Sequence, residues 1–346
     1  MSQVLLDGMD EAPAWSALGP DGVTPSTAIQ LTNDPTDSRY GADSTSGRLT
    51  ASTGALNHRL QRTIPATNLS NLDEIRLWFK SNRRSDGSDS YPFYLQFRLA
   101  SDAMKFDHPA NQWARYFPVS QTRDWEMIRF TLGDLPAGVR TALTSMQLRI
   151  TNAGASLACH LDTVLAVREQ ALADVEAALV ARLDQKVSVN GTGVPALVFD
   201  PDDDAAPALP HIRITPADIQ WAGERTMVAP ARGDYTDHGF QLRPPPTGLT
   251  LLYDVDVYAA GRAIKSRIFE FILSALAPRT ELIVNGAPLT LELIPTPPPT
   301  LLPLQRLDRT PIRFRVTTWQ QSAPPQMVVR PYTDVLVLVG VDGEIA

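Results

Sequence analysis

The chain holds a single cysteine, Cys159, so no intramolecular disulfide framework can form and folding needs no oxidising compartment. Cys159 stands beside apolar residues and reads as a small buried hydrophobe rather than a reactive thiol. No run approaches the ~20 apolar residues of a membrane span. The opening MSQVLLDGMDEAP lacks the basic and apolar regions of a secretory leader, so a soluble protein made or assembled in a reducing cell is expected. Basic residues do not predominate: 31 Lys and Arg against 38 Asp and Glu leave a formal net charge of -7. That balance argues against a general nucleic-acid-binding surface.

Catalytic signatures are missing too. The five histidines, His58, His108, His160, His211 and His238, form neither an HxH nor an HExxH spacing, and one cysteine cannot make a zinc cluster. Asn190-Gly191-Thr192-Gly193 lacks the later Gly, Lys and Ser/Thr of a phosphate loop, and no GxSxG elbow occurs. Asp200-Pro201-Asp202-Asp203-Asp204 has no Gly at the sixth place and no Glu at the twelfth of a calcium loop, and reads as a solvated turn. Arg232-Gly233-Asp234 matches an integrin-type tripeptide, too short a match to carry meaning. A pair of carboxylates for glycoside cleavage is a spatial feature that sequence does not exclude. The expectation is a binding or assembly protein, not an enzyme.

What the chain does have is two patterns in series. At 346 residues it has room for two domains of roughly 170, each able to bury about 70% of its unfolded surface. Up to about residue 168 the apolar period is two. Strands are predicted at Ile75–Lys80, Phe93–Leu99, Trp125–Leu132, Met146–Thr151 and Leu161–Val167, separated by turns such as Ser85-Asp86-Gly87-Ser88. In Trp125–Leu132 the apolar phase shifts between Met127 and Ile128, where a bulge is predicted. This is the pattern of an all-β antiparallel jelly-roll sandwich over 1–168.

From about residue 171 helical spacing appears: Leu172, Val175, Leu179 and Leu183, with Asp174 and Glu176 near the helix start, where carboxylates suit the dipole. Strands at Pro195–Phe199, His211–Ile214 and Thr250–Tyr258 follow, then a helix over 262–277 with Ile264, Ile268, Phe271, Ile272, Ala275 and Leu276 on one face. Asn285-Gly286 between Leu282–Val284 and Leu289–Leu293 marks a tight hairpin. Ile312–Val316 and Asp334–Val341 close a small α+β domain over 171–346, with two main helices on a mostly antiparallel sheet. A long irregular stretch, 216–247, and the prolines at 295–299 interrupt it. Stiff extended segments of this kind lose little entropy when a neighbour orders them. Arg232, Tyr235, Pro245, Pro246, Pro297 and Pro298 are therefore expected at subunit interfaces. Arg313 and Arg315, on one face of their strand, either meet acidic partners at such a seam or form a solvated face.

The first half resembles galactose-binding-like carbohydrate modules in the order of its motifs. Leu5-Leu6-Asp7-Gly8-Met9-Asp10 with Trp15 looks like their opening strand. Ile75-Arg76-Leu77-Trp78-Phe79 after Leu69-Ser70-Asn71-Leu72, Asp124-Trp125 with Phe130-Thr131-Leu132, and Leu161-Asp162-Thr163-Val164 resemble their later strands. Sugar rings dock on exposed flat aromatics. Tyr40, Tyr91, Trp113 and Tyr116 are the candidates, although Trp113–Phe117 can equally be a core strand. Many relatives hold a structural calcium, and the resemblance implies Asp7 or Glu11, with Asp43 and Asp162, as its ligands here.

The second half resembles the tail terminator, or tail completion, proteins of tailed bacteriophages and related contractile injection systems. The carriers are Ala173–Leu183, Leu252-Tyr253-Asp254-Val255-Asp256-Val257-Tyr258 and the helix 262–277. The resemblance implies a homo-oligomeric ring in the virion tail or neck, assembled in the host cytoplasm beside tube, sheath or neck proteins. The alternative reading is a protein that recognises cell-surface glycans.

Overall fold

The computed structural model describes residues 3–40, 44–199, 208–222, 231–237, 239–278, 280–294, 311–320 and 326–329. Two compact units divide the chain. The first comprises Met1–Arg168 together with Pro230–Pro244 and the strand Gln326–Val329; the second comprises Glu169–Ala229 and Pro245–Ser322. Among the described residues no helix is long and apolar enough to cross a membrane.

The first eleven strands are β1 (Gln3–Asp7), β2 (Ser16–Leu18), β3 (Ile29–Asp34), β4 (Ser46–Ala51), β5 (Arg59–Thr67), β6 (Glu74–Ser81), β7 (Leu95–Ala100), β8 (Ala114–Tyr116), β9 (Glu126–Thr131), β10 (Leu143–Ile150) and β11 (Leu157–Val167), with a short α1 (Ala137–Thr141) before β10. They form an antiparallel jelly-roll sandwich. One sheet runs β3-β4-β11-β6-β9 with β1 also on β11, and the other β2-β5-β10-β7-β8. The two-residue period explains the core: Leu95, Phe97 and Leu99 on β7 and Leu60 and Leu148 beside it face inward, as do Leu77, Phe79, Ile128 and Phe130 of the opposite sheet. Phe97 stacks on Phe130 at 5.7 Å, and Trp113 meets it edge-on at 6.2 Å. Cys159 is fully buried in this core, and burial pushes its thiol far up, away from the reactive form.

The predicted bulge at Met127–Ile128 is absent. The β6–β9 register runs unbroken from Glu74 opposite Thr131 to Phe79 opposite Glu126, and Met127 simply lies opposite Trp78 on the outer face. A register shift occurs instead in β11 between Asp162 and Leu165, where Thr163 takes a positive φ of 46°.

The second unit begins with α2 (Ala171–Leu183), the small ladder β12 (Ser188–Val189) and β13 (Thr192–Gly193), then β14 (Ala196–Val198) and β15 (His211–Trp221). Next come β16 (Ala231–Gly233) and β17 (Gly239–Arg243), which belong to the first unit, and then β18 (Thr247–Tyr258), α3 (Arg262–Ala275), β19 (Glu281–Val284), β20 (Ala287–Ile294) and β21 (Ile312–Gln320). The sheet order is β14-β15-β18-β21-β20-β19, and β14–β15 is parallel where the other pairs are antiparallel. Leu251, Tyr253, Val255 and Val257 of β18 alternate inward against Val175, Leu179 and Leu183 of α2 and Ile268 and Ile272 of α3. Leu172, expected on the inner stripe of α2, is exposed instead. Asn285 and Gly286 have φ of 49° and 77°, the left-handed pair that a two-residue turn between β19 and β20 requires. Asp174 ties this turn to the start of α2: its carboxylate accepts the Gln170 backbone N–H at 2.7 Å and the Asn285 side-chain amide at 2.6 Å.

The stretch 216–247 is not irregular throughout. β15 continues to Trp221, and β16 pairs with β17, which pairs with β22 (Gln326–Val329), as a three-stranded sheet in the first unit. The chain crosses between units at Pro244-Pro245-Pro246. The carboxylates Asp202, Asp203 and Asp204, the prolines Pro297 and Pro298, and the strand expected at Asp334–Val341 lie outside the described residues.

Candidate functional surfaces

Alternation puts a second set of side chains on the outside of the β3-β4-β11-β6-β9 sheet. The register aligns Thr32, Arg48, His160 and Lys80 across four strands in one row. The next row carries Asp162, Trp78 and Met127. The loop after β3 folds back over these rows. The Arg39 guanidinium lies 4.4 Å above the Trp78 ring, and the Trp78 indole N–H donates to the Tyr40 hydroxyl at 3.1 Å. Lys80 Nζ reaches both Asp37 carboxylate oxygens at 2.6 and 2.9 Å and sits 5.9 Å from the Trp125 ring centroid. His160 Nε2 is 3.1 Å from Asp34, and its ring lies 6.3 Å from that of Trp125. Hydrogen bonds from the Thr36 hydroxyl and backbone N–H, with His160, hold the Asp34 carboxyl down to about 2. Burial raises Tyr40 and Asp162, so the centre of this surface is partly dry. The result is a half-buried indole, Trp125, rimmed by a lysine, an imidazole and carboxylates: an apolar ring face beside hydroxyl-reading polar groups.

Of the four aromatics expected to read sugars, only Tyr40 belongs to this surface. Tyr91 lies in the loop before β7 with the Arg84 guanidinium 4.7 Å over its ring. Tyr116, on β8 of the other sheet, stacks on Phe93 at 4.8 Å and donates its hydroxyl to Asp237. Trp113 is corrected to the core: it is 3% exposed and covered by the Arg115 guanidinium at 4.7 Å. Sequence reasoning passed over Trp78, Trp125 and His160, although the alternation in Ile75–Lys80 already sends Trp78 and Lys80 outward while Ile75, Leu77 and Phe79 turn in.

The calcium set does not assemble. Asp7 is buried, already accepts the Met9 N–H at 2.7 Å and the Trp15 indole N–H at 3.0 Å, and is ion-paired with the Arg62 guanidinium at 2.8 Å. Glu11 pairs with the same Arg62 at 3.1 Å, so a guanidinium stands where the cation would. Asp162 is taken by the Arg39 N–H at 3.0 Å and the Thr163 hydroxyl at 2.9 Å. Asp43 lies outside the described residues. Calcium needs six to eight oxygens with free lone pairs, and these carboxylates spend theirs on protein donors. Among the described residues no group of three His, Cys, Asp or Glu could hold a metal ion.

The expected interface residues divide. Tyr235 packs on Phe93 of its own chain at 5.0 Å, and its carbonyl accepts the Tyr116 N–H at 2.9 Å. Arg232 is placed by its backbone opposite Leu242 in the β16–β17 ladder. Arg313 forks onto Asp254, its direct cross-strand partner, at 2.7 and 2.8 Å, which raises it further above its ordinary value. Arg315 pairs with Glu292 across β20–β21, both of its donors on one carboxylate oxygen. Pro245 and Pro246 mark the return of the chain to the second unit.

In the second unit, apolar side chains stand exposed on both flanks of the six-stranded sheet. β14 covers β15 through Ile214, and among the described residues no strand pairs with that side of β15 beyond it. There Ile219 is 52% and Trp221 71% exposed. At the opposite edge, Ile283 of β19 is 41% exposed.

No protein-family model matches the sequence, and no curated protein matches it. Among solved structures the chain is similar to the family 11 carbohydrate-binding module from Clostridium thermocellum in complex with a β-1,3-1,4-mixed-linked tetrasaccharide. That match has 11% identity and a TM-score of 0.33, covering 48% of this chain and 96% of that one. A family 30 carbohydrate-binding module of a cellulosomal cellulase of the same organism is 14% identical over 49% of this chain and 100% of that one, with a TM-score of 0.35. The sheath/tube terminator of an extracellular contractile injection system, PVC, in its extended state is 19% identical over 48% of this chain and 61% of that one, with a TM-score of 0.35. At such identities no correspondence of functional residues follows.

Proposed function

We propose that the protein is a structural subunit of a tailed phage or related contractile particle, a ring-forming tail or neck component that carries the sandwich as a decorating domain. It does no catalysis in this reading, and its partners are further copies of itself and the adjoining tube, sheath or neck proteins. The observation that carries the reading is the pair of unlike apolar edges on one sheet, Ile219 and Trp221 on β15 against Ile283 on β19. A closed ring is built from heterologous contacts, in which one patch of each subunit meets a different patch of the next. An open sheet with two dissimilar apolar flanks supplies such a pair, and exposed edges of this kind are otherwise an aggregation hazard that proteins cover. Buried Trp anchors at interfaces are typically worth about 2 kcal/mol or more. Trp221→Glu and Ile283→Glu should each leave circular dichroism and Tm nearly unchanged, because both side chains are exposed in the subunit. Each should convert the assembly to free subunits in sedimentation velocity. An assembly of unchanged mass in both variants would sink the edge-to-edge model.

A second reading, recognition of cell-surface glycans, is favoured by the outer face that holds Trp125, Tyr40, His160 and Lys80. Trp125→Ala should abolish retention of the protein on immobilised neutral glycans, with an unchanged melting temperature. Retention unaffected by Trp125→Ala would remove this face from consideration.

A further inference from the structure

The other outer face of the sandwich, on the β2-β5-β10-β7-β8 sheet, has a different character. The register lines up Leu18, Arg59, Arg149, Gln96 and Tyr116 in one row across all five strands, and Ser16, Gln61, Gln147, Arg98 and Ala114 in the next. Arg59 and Arg149 are thus directly opposed, and Arg98 is diagonal to Arg149. Like charges facing each other across a ladder are destabilising. The row contains no carboxylate. Two reach it from outside: Asp237 accepts the Tyr116 hydroxyl, and Asp107, which arrives from the loop between β7 and β8 and is 63% exposed, is shared by Arg59 at 2.9 Å and Arg98 at 3.1 Å. Arg149 is left with a neutral acceptor, the Asn57 amide oxygen at 2.6 Å. The Nε–H groups of Arg59 and Arg149 are buried and meet no acceptor among the described residues. Three guanidinium groups with one borrowed carboxylate among them leave this face short of negative oxygen. Burial and the charges of Arg149 and Arg59 lower Arg98 despite its bond to Asp107, as crowding of positive charge requires.

We propose that this face is a binding site for a carboxylate-bearing saccharide, with Arg149 and Arg59 taking its carboxylate and Asp107 holding the place of that group in the free protein. The inference deepens the carbohydrate reading but uses the opposite face of the sandwich, and it is independent of ring formation. Guanidinium forks match planar carboxylates in two parallel hydrogen bonds, which a point charge does not. The row crosses four inter-strand spacings, about 19 Å, so it suits an extended chain rather than a single small anion. An acidic peptide is the less favoured occupant, since peptides dock on sheets through backbone pairing at an open edge, and this is a face whose backbones are already paired.

Titration calorimetry of the full chain at low salt, against oligogalacturonate, an alginate oligomer, a neutral cello-oligosaccharide, poly-glutamate and inorganic phosphate, tests the proposal. The acidic saccharides should bind, more weakly as sodium chloride is raised, and the cello-oligosaccharide should not bind at this face. Arg149→Gln should weaken binding at least about tenfold, as expected for loss of a charge-assisted pair, without lowering Tm. Asp107→Asn should tighten it, because the competing internal carboxylate is gone; a purely structural Asp107 would give no such gain. Failure of both acidic saccharides to bind, tighter binding of poly-glutamate or of phosphate, or affinity unchanged in Arg149→Gln would each overturn the proposal. Neutral-glycan binding that depends on Trp125, with no binding of the acidic ones, would overturn it while leaving the Trp125 face standing.

Discussion

Asp234→Ala should destabilise the first unit by about 3–5 kcal/mol, the usual cost of removing one partner from a buried charge network. The Asp234 carboxylate is 0% exposed. One oxygen accepts the Thr131 backbone N–H at 2.8 Å, and the other accepts the Thr131 hydroxyl at 3.0 Å and Arg243 at 2.8 and 3.2 Å. Arg115, itself 1% exposed, brings its Nε to 3.7 Å, and Arg243 reaches on to Glu74 at 3.5 Å. Burial alone would raise Glu74, but Arg76, Arg129 and Arg243 outweigh it and hold the carboxyl below its ordinary value. Removing Asp234 takes the acceptor from the buried Thr131 backbone N–H and the central carboxylate from between two guanidinium groups, of which Arg115 keeps Asp134 and Arg243 keeps Glu74. Thermal unfolding followed by tyrosine and tryptophan fluorescence would measure the loss. A shift below about 0.5 kcal/mol would mean that the segment 231–243 rests on the sandwich without supporting it. The same contacts make deletion of 218–240 a fold-breaking change rather than one confined to assembly.

Phe97→Ala should cost a further comparable amount, about 3–5 kcal/mol, by leaving a cavity between the two sheets. Phe97 is 1% exposed and touches Phe130, Trp113 and Phe117 at centroid distances of 5.7, 6.2 and 6.5 Å. Three large rings cannot collapse into the space without leaving their rotamers, so relaxation recovers little of the loss. Chemical denaturation should show a lower midpoint with an unchanged slope. A change near zero would contradict the inward assignment of Leu95, Phe97 and Leu99.

The strands were legible where alternation is strict. Ile75–Lys80 and Thr250–Tyr258 announce both their period and their buried face, and Asn285-Gly286 announces its turn because two successive left-handed residues are needed there. Helix α2 was legible from Val175, Leu179 and Leu183, and Leu172 was misread because spacing does not say where a sheet ends beneath a helix. What sequence missed was long-range. Nothing local to Arg232-Gly233-Asp234 reveals that the aspartate closes on Thr131, more than a hundred residues earlier. Likewise Arg59 and Arg149 are ninety residues apart, and only the register of β5 on β10 sets them face to face. Trp113 was misplaced for the reverse reason: an aromatic between two turns looks exposed until Arg115 and Phe97 enclose it.

In the proposed assembly the second unit closes into a ring through its two apolar edges. Light scattering coupled to size-exclusion chromatography, on the full chain over a hundredfold range of concentration, tests it most directly. A closed ring gives one species whose mass is a fixed multiple of 37.9 kDa and stops growing as concentration rises. A mass of one chain at every concentration would contradict it, and so would a mass that climbs without limit.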